Sequence, residues 1–457
     1  MRRNVCWLLS LSAAALPDPA DWIITGRYVV TMDASRQVIE DGAVAIRGER
    51  IVGVGRRAAI DRQFQAARRL DRPQDLVAPG LINTHTHAPM TLMRGVADDL
   101  RLQDWLEKFI FPVEAKMVSA EFVRWGTRLA CLEMLLGGTT TYADMYYFEE
   151  VIAEATEAAG MRGVLGQTII RFPVPDAKTP DEGLQRTESF LERYRGHPLI
   201  TAAVAPHALY TNADETLRKA RSLANRYGAP LLVHLSETKQ ENDDMAAARG
   251  ASPTKVLDLL GIWNGRSLAA HAVWASDNDL RILKERGAGI AHCPSSNMKL
   301  ASGVAPVVKM LSMDLAVGLG TDGPAGSNND LNLLEEIDLA AKLQKVTTGD
   351  PRALPAREAV EMATIRGARA LGMQKEIGSL EPGKRADLIV VGLGRPNSAP
   401  LFDPVSHLAF AVKASDVADV FVNGRAVVRD GQPLTLDRAA ILAKAAEYGA
   451  RIRALRP

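Results

Sequence analysis

The chain has 457 residues, which is enough for one large barrel or for two domains. It carries 55 basic and 54 acidic residues and a net charge of +1, and this balance argues against a nucleic-acid-binding protein, which would show a basic excess. The three cysteines lie far apart, so they predict neither a disulfide framework nor a cysteine-rich zinc module. Any bound metal would therefore need histidine and carboxylate ligands.

The N-terminal 20 residues differ in character from the rest of the sequence. A basic start at residues 1–3 precedes a short apolar run at residues 5–16, which is typical of a secretory signal. The alternative is a disordered tail on a cytoplasmic protein whose fold begins near Asp21. The apolar run is too short to span a membrane, and no other segment is long and apolar enough. We therefore expect no membrane span, and both a cytoplasmic and an exported protein remain open.

Segments typical of β-strands occur near both ends of the chain. Apolar runs bounded by turn residues predict strands at residues 22–24, 28–32, 43–46 and 51–54, and again at 387–391 and 420–428. The simplest arrangement is one small β-sandwich domain assembled from residues 21–78 and 376–435. Residues 79–375 then form the central domain, and residues 436–457 are expected to form a C-terminal helix.

The central domain alternates strands with helices. Helical patterns occur at residues 122–136, 151–159, 213–227 and 277–285. The eight strand candidates are Leu81–His87, Thr139–Met145, Gly163–Ile169, Ile200–His207, Pro230–Leu235, Ser267–Val273, Gly289–Cys293 and Leu315–Thr321. This alternation predicts an α/β fold with a (β/α)8 TIM-like barrel. The competing open doubly wound sheet would need a glycine-rich turn after the first strand, where the chain has His85-Thr86-His87.

Most of the eight histidines lie at predicted strand ends, the face on which a barrel gathers its catalytic groups. On an extended strand His85 and His87 point to the same side, because side-chain direction alternates. The other residues at predicted strand ends are His207, His234, His271, His292 and Asp322. We interpret His292 as a hydrogen-bonding residue of the barrel floor.

His85, His87, His234 and Asp322 form a candidate set of ligands for a divalent metal. Zinc suits three imidazoles and one carboxylate, and iron or manganese would also accept them. Such a metal lowers the pKa of a bound water so that hydroxide forms near neutral pH. The fourth strand ends at residues 205–208 without a lysine that could be carbamylated and bridge two metals. We therefore predict one metal ion per chain.

Several motifs resemble those of a known family. PGLINTHTH, HLSET, AAH and LGTDG occur in the order and spacing of the amidohydrolase superfamily. The longer segments HTHAPMTLMRGVADDLRLQDWL, HCPSSNMKLASGVAPV and GTDGPAGSNNDLNLLEE resemble the 5-methylthioadenosine/S-adenosylhomocysteine deaminases. The resemblance extends from about Trp22 to about Asp430. Chlorohydrolases and aminohydrolases of s-triazines share many of these motifs.

The resemblance implies a zinc-dependent deamination of these two adenine nucleosides, with adenosine as a further candidate, to the inosine analogues and ammonia. Asp322 would take a proton from the metal-bound water and pass it toward the leaving ammonia. Glu237 would protonate the ring nitrogen beside the carbon under attack, and His271 would hold the attacking water. This division agrees with the chemistry, because an aromatic amine leaves only from a protonated ring as ammonia, and two carboxylates in different environments can share that work.

The resemblance also implies substrate contacts. Glu114 matches the position that holds the ribose hydroxyls, with a solvated glutamate at a helix start as the alternative. His207 matches a ligand-contacting histidine. Arg186 aligns with an arginine that reaches the tail of the substrate, although an ordinary surface arginine is an equal alternative. A second arginine of the family falls on Gln167, and Arg171 is the candidate to replace it.

We weighed three other functions. The first is hydrolysis of another aromatic heterocycle, such as guanine, a pterin or an s-triazine, by the same ligand set. A ring-opening amidase or dipeptidase is disfavoured, because it usually needs two metals and a bridging lysine. A non-catalytic metal-binding protein is disfavoured by the complete set of Glu237, His271 and Asp322. The expected partner is a small-molecule nucleoside, and the sequence leaves a homo-oligomer open.

Overall fold

The computed structural model describes residues 17–455, so the predicted leader at residues 1–20 lies largely outside the described residues. Within this range the strands, in chain order, are β1 (Asp18–Val30), β2 (Val38–Arg47), β3 (Arg50–Arg56), β4 (Phe64–Leu70), β5 (Leu76–Pro79), β6 (Leu81–Thr86), β7 (Thr139–Tyr146), β8 (Arg162–Ile169), β9 (Ile200–Pro206), β10 (Leu231–Leu235), β11 (Ser267–His271), β12 (Gly289–His292), β13 (Ala316–Leu319), β14 (Leu388–Val391), β15 (Val417–Val422), β16 (Arg425–Arg429) and β17 (Gln432–Pro433).

The α-helices in the same range lie mainly between the strands of the central domain. They are α1 (Arg57–Gln63), α2 (Leu102–Trp105), α3 (Phe111–Met117), α4 (Ala120–Leu136), α5 (Glu149–Ala159), α6 (Pro180–Arg193), α7 (Asp214–Tyr227), α8 (Lys239–Arg249), α9 (Pro253–Leu259), α10 (Asp277–Arg286), α11 (Pro294–Lys299), α12 (Val307–Ser312), α13 (Leu333–Thr348), α14 (Ala356–Met362), α15 (Ile365–Ala370), α16 (Pro404–Phe410) and α17 (Arg438–Arg453). None of these helices is both long and apolar enough to cross a membrane.

Strands β6 to β13 form the predicted closed barrel of eight strands in sequence order. All neighbouring pairs are parallel, and the barrel closes where Leu319 of β13 pairs with Asn83 of β6. Every residue of β6, β7, β8 and β10 is buried, as expected for strands covered by a packed interior on one face and by helices on the other. The (β/α)8 fold class is therefore confirmed.

Both ends of the chain contribute to a second, nine-stranded sheet. Its order is β17-β16-β15-β14-β5-β1-β2-β3, and β4 also pairs with β1. The two ends of the chain meet where β14 pairs antiparallel with β5. The sequence predicted two strands separated at Gly26, but β1 continues through this residue, which pairs with Gly42. A Cβ at Gly26 would lie 2.8 Å from Cγ2 of Val77, so close packing explains this glycine.

A buried ion pair joins the barrel to this sheet. The guanidinium of Arg162, at the start of β8, donates from Nε at 2.9 Å to Oδ2 of Asp387, just before β14. The backbone N–H of Asn423 donates to the other oxygen of Asp387 at 2.6 Å. Both charged side chains are almost completely excluded from solvent, so each charge depends on the other.

Candidate active site

Histidine and carboxylate side chains from β6, β10, β11 and the end of β13 meet at the carboxyl ends of the barrel strands. The ring centroid of His85 lies 4.9 Å from the centroids of both His87 and His234. Oδ1 of Asp322 lies 3.5 Å from Nε2 of His85 and 3.3 Å from Nε2 of His87. The structure thus brings the four predicted metal ligands together, and His271 lies beside them with its ring centroid 5.5 Å from that of His85.

The outer ring nitrogens of two of these histidines contact backbone carbonyls. Nδ1 of His87 lies 2.7 Å from the carbonyl oxygen of Met145, and Nδ1 of His234 lies 2.8 Å from that of His207. Because a carbonyl only accepts, each Nδ1 carries a hydrogen, and Nε2 is the ring nitrogen left to bind a cation. Nε2 of His85 is buried and has no hydrogen-bond partner within residues 17–455. These donors fit a divalent cation.

Asp322 is held as an ionised carboxylate. Burial would raise its pKa, but the interactions with His85 and His87 outweigh burial and hold the pKa well below the ordinary value. Oδ2 accepts a hydrogen bond from the hydroxyl of Ser296 at 2.6 Å, and Oδ1 accepts one from the backbone N–H of Gly323 at 2.6 Å. The carboxylate is therefore both oriented and able to accept a proton.

The imidazoles differ in their affinity for protons. Burial lowers the pKa of His85 to about 4 and the pKa of His234 well below its ordinary value, so both rings are neutral at neutral pH. Burial also acts to lower the pKa of His87, but the hydrogen bond to Asp322, the negative charge of Asp322 and the contact with the Met145 carbonyl together outweigh it and raise this pKa to about 9. A cation that binds here therefore replaces a proton on His87.

Glu237 follows β10 and is buried next to the cluster. Its carboxyl oxygen Oε2 lies 3.9 Å from Nε2 of His271. Burial, followed by the negative charge of Asp322, raises the pKa of Glu237 to about 8. The backbone N–H of Glu237 donates to the carboxylate of Glu241 at 2.9 Å, which fixes the turn that carries it. Glu237 therefore holds a proton at neutral pH and can donate it.

The backbone of His271 has a φ of 73°, in the left-handed region that β-strand residues avoid. Burial lowers the pKa of its imidazole, so the ring is neutral. Nδ1 of His271 lies 3.1 Å from Oδ1 of Asn297 in α11.

His292 was predicted to form hydrogen bonds in the floor of the barrel. These hydrogen bonds are not found, because neither of its ring nitrogens has a hydrogen-bond partner within the described range.

A cavity opens over this cluster. Apart from the cluster itself, most of its wall is apolar or aromatic and includes Trp105, Ile110, Phe111, Tyr146, Tyr147 and Tyr210. Trp105 belongs to a covering segment, residues 102–117, which includes α2, a π-helical turn (Leu106–Ile110) and α3. The indole N–H of Trp105 donates to the carbonyl of Ala325 at 2.9 Å and holds this segment over the cavity. None of the cavity-lining side chains in the described part of the chain is a lysine or an arginine.

Glu114 lines the cavity from α3, so the alternative of a solvated glutamate does not describe it. The hydroxyl of Tyr146 donates to its carboxylate at 2.6 Å. Burial raises the pKa of Glu114 to about 7. The side chain is therefore a buried hydrogen-bonding group that faces the space where a ligand would lie.

The remaining predicted contacts differ in position. His207 lines the cavity. Arg186 does not, because it is paired with Glu150, and its Nε lies 3.4 Å from Oδ2 of Asp176 in an adjacent cavity. Gln167 is also turned away, since its amide nitrogen donates to the same Asp176 oxygen at 2.8 Å. Arg186 and Gln167 are therefore both directed at Asp176 rather than into the cavity.

Several residues of the site were not found from the sequence. Tyr146 ends β7 and Tyr147 follows it at the same barrel face, so their strand-end position was an available signal. Ser296, whose hydroxyl contacts Asp322, had no such signal. It does not lie at a strand end, and its contact depends on how α11 packs on the barrel.

Residues 76–427 match the profile of the Amidohydrolase family. The chain belongs to this family. As an amidohydrolase it depends on a divalent metal, and its donor set agrees with that requirement.

Relatives of this amidohydrolase are similar over nearly their whole length. It is 45% identical over 434 residues, 94% of this chain and 99% of the relative, to a "5-methylthioadenosine/S-adenosylhomocysteine deaminase" of Thermodesulfovibrio yellowstonii. It is 43% identical to a "5'-deoxyadenosine deaminase" of Methanosarcina acetivorans, with 93% and 97% of the two chains covered. The crystal structure of an adenosine deaminase from Xanthomonas campestris with bound zinc superposes with a TM-score of 0.94 at 41% identity, covering 96% of this chain and all of the other.

Proposed function

We propose that the protein hydrolytically deaminates 5-methylthioadenosine and S-adenosylhomocysteine to their inosine analogues and ammonia. The observation that carries this proposal is the buried Glu237, whose pKa of about 8 leaves it a proton donor beside an ionised Asp322. Hydrolysis of an aromatic amine needs both a donor for the ring nitrogen and an acceptor for the proton of the attacking water. The printed names of the similar relatives support an adenine nucleoside as the substrate.

The proposed cofactor is one zinc ion per chain, held by His85, His87, His234 and Asp322. Iron or manganese would also suit these donors. When bound, the metal lowers the pKa of water and so supplies a nucleophile near neutral pH. The zinc in the similar adenosine deaminase structure supports zinc over the other two ions.

Side chains of this protein accept and donate the protons that the reaction transfers. Asp322 accepts a proton from the attacking water through a carboxylate that Ser296 orients. Glu237 donates its proton to the ring nitrogen next to the carbon under attack, which makes the ring electrophilic. His271 accepts a hydrogen bond from the attacking water and fixes its direction. Asp322 then passes its proton to the leaving amine, which departs as ammonia, and the hydroxyl proton left on the ring oxygen returns to Glu237, which restores the acid and leaves the ring carbonyl.

The ribose is proposed to lie against Glu114 and His207. A carboxylate accepts hydrogen bonds from two vicinal hydroxyls, and Glu114 faces the cavity with Tyr146 donating to one of its oxygens. A substrate without a ribose, such as guanine or an s-triazine, would leave this buried carboxylate without its partners. Glu114 thus favours nucleosides over the alternative heterocycles.

The 5′ substituent of the preferred substrate is proposed to be uncharged. The wall of the cavity is mostly apolar, and it includes Glu114, Glu237 and Asp322 but no described lysine or arginine. The carboxylate of a homocysteine tail would therefore find no cation within the cavity, whereas a methylthio group matches its aromatic wall. Arg186 remains a predicted tail contact, but its pairing with Asp176 opposes this role.

The test is a substrate panel with the zinc-loaded protein, followed by ultraviolet spectra and by ammonia release. We expect conversion of adenine nucleosides, with a higher kcat/KM for 5-methylthioadenosine than for S-adenosylhomocysteine. Guanine and an s-triazine serve as the competing substrates. Turnover of either of these without any adenine nucleoside would refute the proposed substrate class, and a preference for S-adenosylhomocysteine would refute the uncharged tail.

A further inference from the structure

We propose that Asn297 is a positioning residue that fixes the tautomer of His271, so that Nε2 of His271 presents a lone pair to the cavity. This inference rests on the proposed function only for its effect on the rate. The position of the hydrogen on His271 is a property of the protein itself and can be measured without turnover.

Asn297 lies behind His271 rather than in the cavity. Its side chain is fully buried in α11, and it is not among the residues that line the cavity. Its amide oxygen lies 3.1 Å from Nδ1 of His271. Its amide nitrogen has no hydrogen-bond partner in the described structure. The contact with His271 is therefore the only described hydrogen bond that its side chain makes.

The contact with Asn297 determines which ring nitrogen of His271 carries the hydrogen. An amide oxygen only accepts, so the hydrogen of the neutral ring lies on Nδ1, and Nε2 keeps the lone pair. Nε2 faces the reaction side, 3.9 Å from the carboxyl group of Glu237. A lone pair there accepts a hydrogen bond from water, whereas the opposite tautomer would present an N–H and repel a water hydrogen.

The backbone shows that the place of this ring is strongly constrained. His271 and Ala272 have φ values of 73° and 49°, two consecutive left-handed residues at the end of β11. Such conformations are unfavourable for residues other than glycine and persist where the surroundings impose them. A hydrogen bond on the far side of the ring complements this constraint, because the backbone sets the position of the ring and Asn297 sets its protonated nitrogen.

Ser296, the residue before Asn297, orients the side chain of Asp322 in the same way. Ser296 donates to Oδ2 of Asp322 at 2.6 Å, from the same turn of α11. One short helix therefore orients both the group that holds the water and the group that takes its proton. Removal of the Ser296 hydrogen bond is therefore a matched control for removal of the Asn297 hydrogen bond. Either change loosens α11, but only the bond of Asn297 contacts His271.

The test uses the zinc-loaded enzyme labelled with ¹⁵N-histidine and nuclear magnetic resonance of the ring nitrogens. His271→Ala identifies the signals of His271. The wild type is expected to show the Nδ1–H tautomer. Asn297→Leu, which keeps a similar volume but has no acceptor, is expected to lose it, with a drop in kcat of about 10- to 100-fold and little change in KM. Asn297→Asp, which restores an acceptor, is expected to keep the Nδ1–H signal and to recover part of kcat.

Two controls separate this role from general loosening. Ser296→Ala is expected to leave the tautomer of His271 unchanged, and Met298→Leu, at a partly exposed position of the same helix, to leave both the tautomer and kcat unchanged. The inference is overturned if the wild type carries the hydrogen on Nε2. It is also overturned if Asn297→Leu keeps the wild-type signal, if Asn297→Asp loses it, or if Ser296→Ala shifts it equally. If Asn297→Leu shifts the tautomer of His271 as expected but the wild type deaminates no nucleoside, the proposed function is refuted and the inference about Asn297 stands.

Discussion

At the scale of single residues, the site depends on two buried carboxyl groups with opposite protonation. Asp322 is kept ionised by His85 and His87, whereas burial keeps a proton on Glu237. The negative charge of Asp322 also contributes to the raised pKa of Glu237. One carboxyl group is thus a base and the other an acid at the same pH.

Replacement of Glu237 tests the acid directly. We expect Glu237→Gln to lower kcat for 5-methylthioadenosine by about 10²- to 10⁴-fold, because the amide has the same shape but no transferable proton. Metal content is expected to remain at one ion per chain, since Glu237 is not a predicted ligand. Glu215→Gln, at an exposed ion pair with Lys219, is the control and should leave kcat unchanged. Unimpaired turnover in Glu237→Gln would contradict the assignment.

The protonation of Glu237 also predicts a pH dependence. The group must be protonated to donate, and its pKa is raised to about 8 by burial and by Asp322. The value of kcat/KM should therefore be maintained below this pH and fall as the pH rises through about 8. A profile that rises through this range would show that the group acts in its ionised form.

At the scale of elements, strands were easier to predict than the segments that connect them. Most barrel strands are short and mainly apolar and alternate with helical segments, so all eight were located within a few residues. The strand-end rule then predicted which histidines meet. The covering segment at residues 102–117 was not resolved into its short helices, because these are too brief to show a helical period. The contacts of α11 were missed because hydrogen bonds between side chains leave no sequence pattern.

Trp105 tests the role of the covering segment. We expect Trp105→Ala to raise KM for 5-methylthioadenosine about tenfold, a loss of about 1.4 kcal/mol of binding free energy, because it removes an aromatic wall and the bond to Ala325. Phe109→Ala is the matched control, since Phe109 lies in the same segment but is 39% exposed and does not line the cavity. Equal KM values for the two variants would contradict a specific role for Trp105.

At the scale of the whole molecule, the two ends of the chain close one sheet that packs against the barrel. This arrangement was predicted from the β-rich flanks, but the ion pair that joins the two parts was not. Arg162 and Asp387 are 225 residues apart, and an ion pair between such distant residues has no local signal. Because this ion pair is buried, it strongly constrains how the barrel and the nine-stranded sheet pack together.

Removal of one member of this pair should destabilise the protein without changing its chemistry. We expect Asp387→Ala to lower the free energy of unfolding by about 3–5 kcal/mol, because it leaves the buried Arg162 charge without a carboxylate to balance it. Asp243→Ala, at an exposed pair with Lys239, should change it by less than about 1 kcal/mol. Denaturant unfolding measures both values. Equal stability of the two variants would contradict the proposed linkage.

The central claim is that this metal-dependent amidohydrolase replaces the amino group of an adenine nucleoside with oxygen from water. Mass spectrometry of the product formed from 5-methylthioadenosine in heavy-oxygen water tests it most directly. The account predicts a product that keeps its ribose and its methylthio group, loses the amino nitrogen as ammonia and gains one labelled oxygen on the ring. Release of free adenine, or recovery of unchanged nucleoside from the zinc-loaded protein, would contradict it.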